Sequence, residues 1–135
     1  MCVLFFTGYY DTLFAHTPVA SNHSYQKEAE VEKKLSAFLA LLQNNGPEQD
    51  ESFIKDNYAD HLLKDIPMSA HLNILRDLRK NYHYHSVVEK NVTGNKVTIV
   101  IKSPVNKFQQ ITIETDPKSN NRIAGINVKN YSPGL

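Results

Sequence analysis

The chain of 135 residues has the size of one ordinary domain, long enough to bury a core and too short for two. Its formal net charge of +1 is far from the strongly basic balance with which proteins displace counterions from phosphates, so no nucleic-acid partner is expected. The single cysteine, Cys2, excludes an internal disulfide or a cysteine cluster for metal, and no stretch reaches the roughly 18 to 20 apolar residues that a membrane span needs.

Charge is divided along the chain. Residues 1–80 hold eight Lys/Arg against eleven Asp/Glu, and residues 81–135 hold seven against three, so −3 and +4 sum to +1. The basic residues of the second part fall at strand ends and turns, where solvated edge protection is their ordinary use. The first residues differ again, with no Lys or Arg before Lys27. Leu13-Phe14-Ala15, then Pro18-Val19-Ala20 and the polar run Ser21-Asn22-His23-Ser24, resemble the end of a signal peptide, which would make the protein exported, periplasmic or extracellular. Against export stand the missing basic start, Asp11 inside the apolar run and Pro18 at the cleavage site; the other reading is an ordered segment packed on the domain. Residues 1–23 are thus a candidate signal peptide or disordered segment, 24–130 one domain and 131–135 a tail.

From Ser24 to about Gln43, Val31, Leu35, Phe38, Leu39 and Leu42 repeat at helical spacing and predict a long helix, stopped by Asn44-Asn45-Gly46-Pro47. A second helix is expected from about Asp50, with Phe53, Ile54, Tyr58, Leu62 and Leu63 inward, closed or bent at Pro67. A third begins near Ser69, where Leu72, Leu75 and Leu78 recur. After Asn81 the period becomes two, and Tyr82 to Lys90, Lys96 to Ser103, Lys107 to Asp116 and Arg122 to Lys129 read as four strands. The short connectors rich in Gly, Pro and Asn make the sheet an antiparallel meander. The fold class is α+β: a long N-terminal helix and two shorter ones on a curved four-stranded antiparallel sheet.

Three constellations carry chemistry. Ser24-Tyr25-Gln26-Lys27 matches the S-x-x-K pattern of penicillin-recognising serine enzymes, but such a pair is expected by chance in this composition, the downstream S-D-N and K-T-G elements are absent, and Ser24 is better read as a helix N-cap. His83 and His85 in Tyr82-His83-Tyr84-His85 would share one face of a strand, the spacing for two zinc ligands with His71 or His61 as a third; a polar outer face with the tyrosines packed inward is the plainer reading, and no metal or other cofactor is assigned. Tyr58, His71, Tyr82, His83, Tyr84, His85 and Phe108 are the residues that helices and sheet would enclose in a cone-shaped pocket, where a His/Asp pair can do acid/base work. Asp60 and His61 are neighbours on a helix, so their side chains diverge and form no dyad. Ordinary aromatic packing accounts for the same residues, and no catalytic residue is assigned.

The segments Phe53-Ile54-Lys55-Asp56-Asn57-Tyr58, Ile66-Pro67-Met68-Ser69-Ala70-His71-Leu72 and Arg122-Ile123-Ala124-Gly125-Ile126-Asn127-Val128 resemble the NTF2-like or cystatin-like accessory domain found at the N-terminus of some bacterial β-lactamase-related serine hydrolases. The resemblance spans about residues 30 to 129 and transfers no catalytic position. It implies a noncatalytic binding or accessory module of an exported bacterial protein, acting through its cavity, its sheet face or a dimer interface. A serine hydrolase domain or a second copy would be the partner. The alternative is a small NTF2-like enzyme or small-ligand carrier using the His and Tyr residues. A cystatin inhibitor is disfavoured, because Gln109-Gln110-Ile111-Thr112-Ile113 lacks the glycine of the Q-x-V-x-G hairpin.

Overall fold

A computed structural model describes residues 19–44 and 48–133. Cys2, most of the candidate signal segment and the Asn45-Gly46-Pro47 helix stop lie outside the described residues. Four helices come first: α1 (Val19–Leu42), α2 (Glu48–Asn57), α3 (Asp60–Asp65) and α4 (Met68–Tyr82). Four strands follow, β1 (Ser86–Thr93), β2 (Lys96–Lys102), β3 (Phe108–Asp116) and β4 (Arg122–Asn130), paired antiparallel in the order β1-β2-β3-β4.

Two features of the expected fold are corrected. The helices number four among the described residues, because the predicted second helix breaks at Tyr58-Ala59. No Gly or Pro marks this break. Tyr58 forms an isolated parallel bridge with Ile123, the Ala59 N–H donates to the Ile123 carbonyl at 2.8 Å, and Arg122 Nη1 donates to the carbonyls of Lys55 and Tyr58. The start of β4 thus draws the chain out of the helix and takes up carbonyls that the end of α2 leaves free. The second correction concerns curvature. Among the described residues the sheet is open, with β1 and β4 as its two edges, and is not curled into a cone, so the NTF2-like or cystatin-like form does not describe it. Its pairing register shifts twice, between Val87 and Glu89 in β1 and at Glu114/Thr115 where β3 meets β4, and such local bends do not close a sheet.

The turns follow their residue chemistry. Gly94 sits at φ +60 in the two-residue β1–β2 connection, and Asn106, Asn120 and Asn121 supply the left-handed positions of the other two connections. Asp116 closes the β3–β4 turn by accepting from the Lys118 N–H and the Ser119 hydroxyl.

Period-two alternation places Val97, Ile99 and Ile101 of β2 and Ile111 and Ile113 of β3 on one face, all fully buried. α1 lies across these strands and buries Val31, Leu35, Phe38, Leu41 and Leu42 against them. Leu39, expected inward, is only half-buried. α2 and α4 pack on α1 and on each other, contributing Ile54, Leu75, Leu78 and Tyr82 to the same core. Each such aliphatic side chain contributes roughly 1.5 to 3 kcal/mol by leaving water. Among the described residues no helix packs on the opposite sheet face: Gln110, Thr112 and Glu114 of β3 lie there, opposite Lys129, Asn127 and Gly125 of β4.

Candidate functional site

The predicted pocket residues do not converge. α4 runs on through Tyr82, and His83 follows it with helical backbone angles, so β1 begins at Ser86 rather than Tyr82. His83 and His85 therefore never occupy alternate positions of a strand. The His83 Nδ1 donates to the Leu42 carbonyl at 3.1 Å, tying the end of α4 to the end of α1, and the His85 Nδ1 donates to the Tyr82 carbonyl at 2.8 Å. Each ring is held by a backbone acceptor, in the way side chains commonly satisfy helix ends. Among the described residues no group of three His, Cys, Asp or Glu is placed to hold a metal ion.

Tyr58 and His71 do meet, edge to face with ring centroids 5.0 Å apart, but inside the core at 1 % and 2 % exposure. Among the described residues neither ring nitrogen of His71 has a hydrogen-bond partner. Burial, with the Asp50 charge nearby as the smaller cause, pushes the Tyr58 hydroxyl well above the usual tyrosine range. Both conditions keep the phenol neutral, which suits packing and not proton transfer at ordinary pH.

Next to this pair lies an ion pair that sequence reasoning missed. Arg79 on α4 meets Asp50 on α2 through two hydrogen bonds of 2.6 and 2.9 Å, and its second nitrogen also donates to the Leu41 carbonyl at 3.1 Å. Asp50 is 2 % exposed. One guanidinium thus joins the ends of three helices, the bidentate use for which arginine is suited. The signal in the sequence was weak: an acid four residues before Ile54 and an arginine directly after Leu78, on faces that are otherwise apolar.

Tyr82 and Phe108 line one open cleft of about 550 Å³ at the end of the sheet, with Asn81, Asn106, Lys107, Gln109, Asn130, Tyr131, Ser132 and Pro133. Four of these ten side chains are carboxamides and none is a carboxylate. Tyr131 enters because its N–H donates to the Phe108 carbonyl and its ring packs on Phe108 with centroids 6.4 Å apart. Its hydroxyl donates to Glu89 of β1 at 3.5 Å, so the side chain spans the helix-free face of the sheet. Val100, the ladder neighbour of Glu89 on that face, is only 2 % exposed. A separate trough of about 420 Å³ lies along that face over Gln110, Thr112, Glu114, Gly125, Ile126, Asn127 and Lys129 to Lys96.

The same end of the sheet carries an apolar rim. Tyr84 is 75 % exposed, Val105 71 %, Val88 47 % and Val87 44 %, four of the six large exposed hydrophobic residues among the described ones. Ser86 pairs with Lys102 and Lys102 with Phe108, so the α4–β1 connection, the start of β1 and the β2–β3 loop are neighbours in space. The Tyr84 ring stands edge-on to His83 at 4.4 Å, braced by the His83 bond to α1.

The chain matches no protein-family model, no curated protein and no solved structure, so the family resemblance rests on its motifs alone.

Proposed function

We propose that this domain is a noncatalytic accessory module of an exported bacterial protein, and that it engages a partner polypeptide through the rim formed by Tyr84, Val87, Val88 and Val105. The observation that carries the proposal is the gathering of exposed apolar side chains at one end of the molecule, where they cost hydration free energy unless covered. The fates of Tyr58, His71, Tyr82, His83 and His85 agree with a binding role, since the core or backbone acceptors occupy them. Export rests on the pattern from Leu13 to Ser24, whose last residues, from Val19 on, form the first turns of α1, and a serine hydrolase domain as partner rests on the motif resemblance.

A second copy fits the β1 edge poorly. An antiparallel copy centred on β1 sets Glu89 against Glu89 or Lys90 against Lys90, and like charges directly opposite destabilise a sheet. The register shift beside Val87 further blunts this edge. Contact therefore runs through side chains of the rim rather than through an added strand.

A photo-crosslinking residue placed at Tyr84 tests this in the source cells, with Tyr25 as control. Tyr25 is 78 % exposed on α1, whose next residues border the β3–β4 turn at the far end of the sheet. Adducts at position 84 and none at 25 are expected, lost on Val88→Lys. Equal adducts at both positions, or none at 84, would remove the rim as the contact surface.

A further inference from the structure

We propose that the helix-free face of the sheet is a binding site for a linear, uncharged oligosaccharide, with Phe108 and Tyr131 as its stacking platform. The inference goes beyond the polypeptide contact of the Tyr84 rim and uses other strands, β3 and β4.

The chemistry of the surface selects the ligand. A sugar ring offers an apolar C–H face and a periphery of hydroxyls that each donate and accept. Phe108 and Tyr131 are half-buried rings tilted at 55° to each other, fixed by the backbone bond from Tyr131 to Phe108, so they present ring surface at little cost in side-chain ordering. Beyond them on the same face stand Gln110 and Asn127, carboxamides that pair a donor with an acceptor on neighbouring atoms and so match adjacent hydroxyls.

The surface is also long. From Phe108 the solvent-facing positions of β3 run through Gln110 and Thr112 to Glu114, about 20 Å at strand spacing, with Asn127 and Gly125 beside them on β4. This is room for several sugar units. Gly125 leaves the space beside Glu114 unfilled, where a Cβ would sit at an ordinary contact distance of 3.9 Å from that of Glu114. Thr98 and Thr112 share a hydroxyl contact of 3.1 Å on the floor of the face.

Other ligand classes fit less well. A nucleic acid needs a row of uncompensated cations, whereas Lys96 is the ladder partner of Glu114 and the net charge is only +1. An apolar peptide needs deep hydrophobic pockets to anchor its side chains, and apart from Gly125 and Ile126 the trough is lined by polar and charged residues, Gln110, Thr112 and Asn127 with Lys96, Glu114 and Lys129.

Amide NMR titration of the full chain with cellohexaose, chitohexaose and maltohexaose tests the assignment. At least one hexasaccharide is expected to give saturable shifts at Phe108, Gln110, Thr112, Asn127 and Tyr131, and to bind more tightly than its disaccharide. Phe108→Ala is expected to weaken binding by about 10-fold, the loss of roughly one good contact. The double variant Gln110→Ala/Asn127→Ala, altered only on the solvent face, keeps the test open should Phe108→Ala fail to fold; it is expected to weaken binding by about 5-fold. Tyr84→Ser is expected to leave the affinity unchanged. Absence of saturable shifts with all three hexasaccharides would overturn the site, as would unchanged affinity in the double variant or an equal loss in Tyr84→Ser.

Discussion

Asp50 is nearly sealed from solvent, and one guanidinium meets its charge. Removing the carboxylate would leave Arg79 only 14 % exposed, with the Leu41 carbonyl as its remaining partner and its Nε already without one. An unpaired buried charge is expensive, so Asp50→Ala should cost about 3 to 5 kcal/mol in urea unfolding. The double change Asp50→Ala/Arg79→Met should recover most of that loss, because it removes both charges and keeps an unbranched side chain among the helix ends. A single-variant loss below about 1 kcal/mol would mean that the pair is hydrated in solution. The pair escaped sequence reasoning because its members are 29 residues apart, and nothing local at either position announces the other. His71 was legible as a candidate but not as a core residue, since burial of an unpartnered imidazole is a tertiary outcome.

At the scale of elements, the sheet could be read from the chain and the helix break could not. Alternation over Val97 to Ile101 and Ile111 to Ile113, with turn residues between, is a local pattern whose period fixes the facing of every side chain. The same reasoning set the first strand four residues early, because the aromatic and histidine residues from Tyr82 to His85 fit either period and helix contacts with α1 decide the outcome. The break at Tyr58-Ala59 depends on Ile123, more than sixty positions away, and no window of sequence contains both. The curved sheet is an expectation from the order of elements, helices followed by an antiparallel meander, and not from any residue that bends a strand. Of the candidate surface, Phe108 was legible as a strand aromatic, whereas Tyr131 looked like part of a tail until its backbone bond to Phe108 placed it. Exchange of the Ala59 amide measures the break directly. Helix-terminal amides fray and exchange early, but this one donates to β4 and is completely buried. It should therefore exchange as slowly as the central amides of β3 in native-state hydrogen exchange. Exchange at the rate of the exposed α3 amides would mean that the bridge to Ile123 opens independently of the sheet.

Across the whole molecule, the acidic helical part and the basic sheet part attract each other on paper, yet the charges seldom meet. Among the described residues one ion pair joins the two layers, Lys90 of β1 with Glu32 of α1, and both side chains are more than 40 % exposed. The other close pairs, Lys33 with Glu30, Lys55 with Glu51 and Arg79 with Asp50, lie within the helical layer. Cohesion between layers therefore rests on the apolar contact of α1 with β2 and β3, which salt does not screen. Glu32→Gln should lower stability by less than about 1 kcal/mol, the range of exposed pairs. Phe38→Ala, which empties a fully buried site facing the same strands, should cost about 3 to 5 kcal/mol. Urea midpoints for both variants at low and high sodium chloride separate the two contributions. The Glu32→Gln deficit should vanish at about 1 M salt, where the Debye length shrinks to roughly 3 Å, while the Phe38→Ala deficit persists. A wild-type stability that collapses in salt would reverse the ranking and make charge, rather than the α1 stripe, the force that holds helices to sheet.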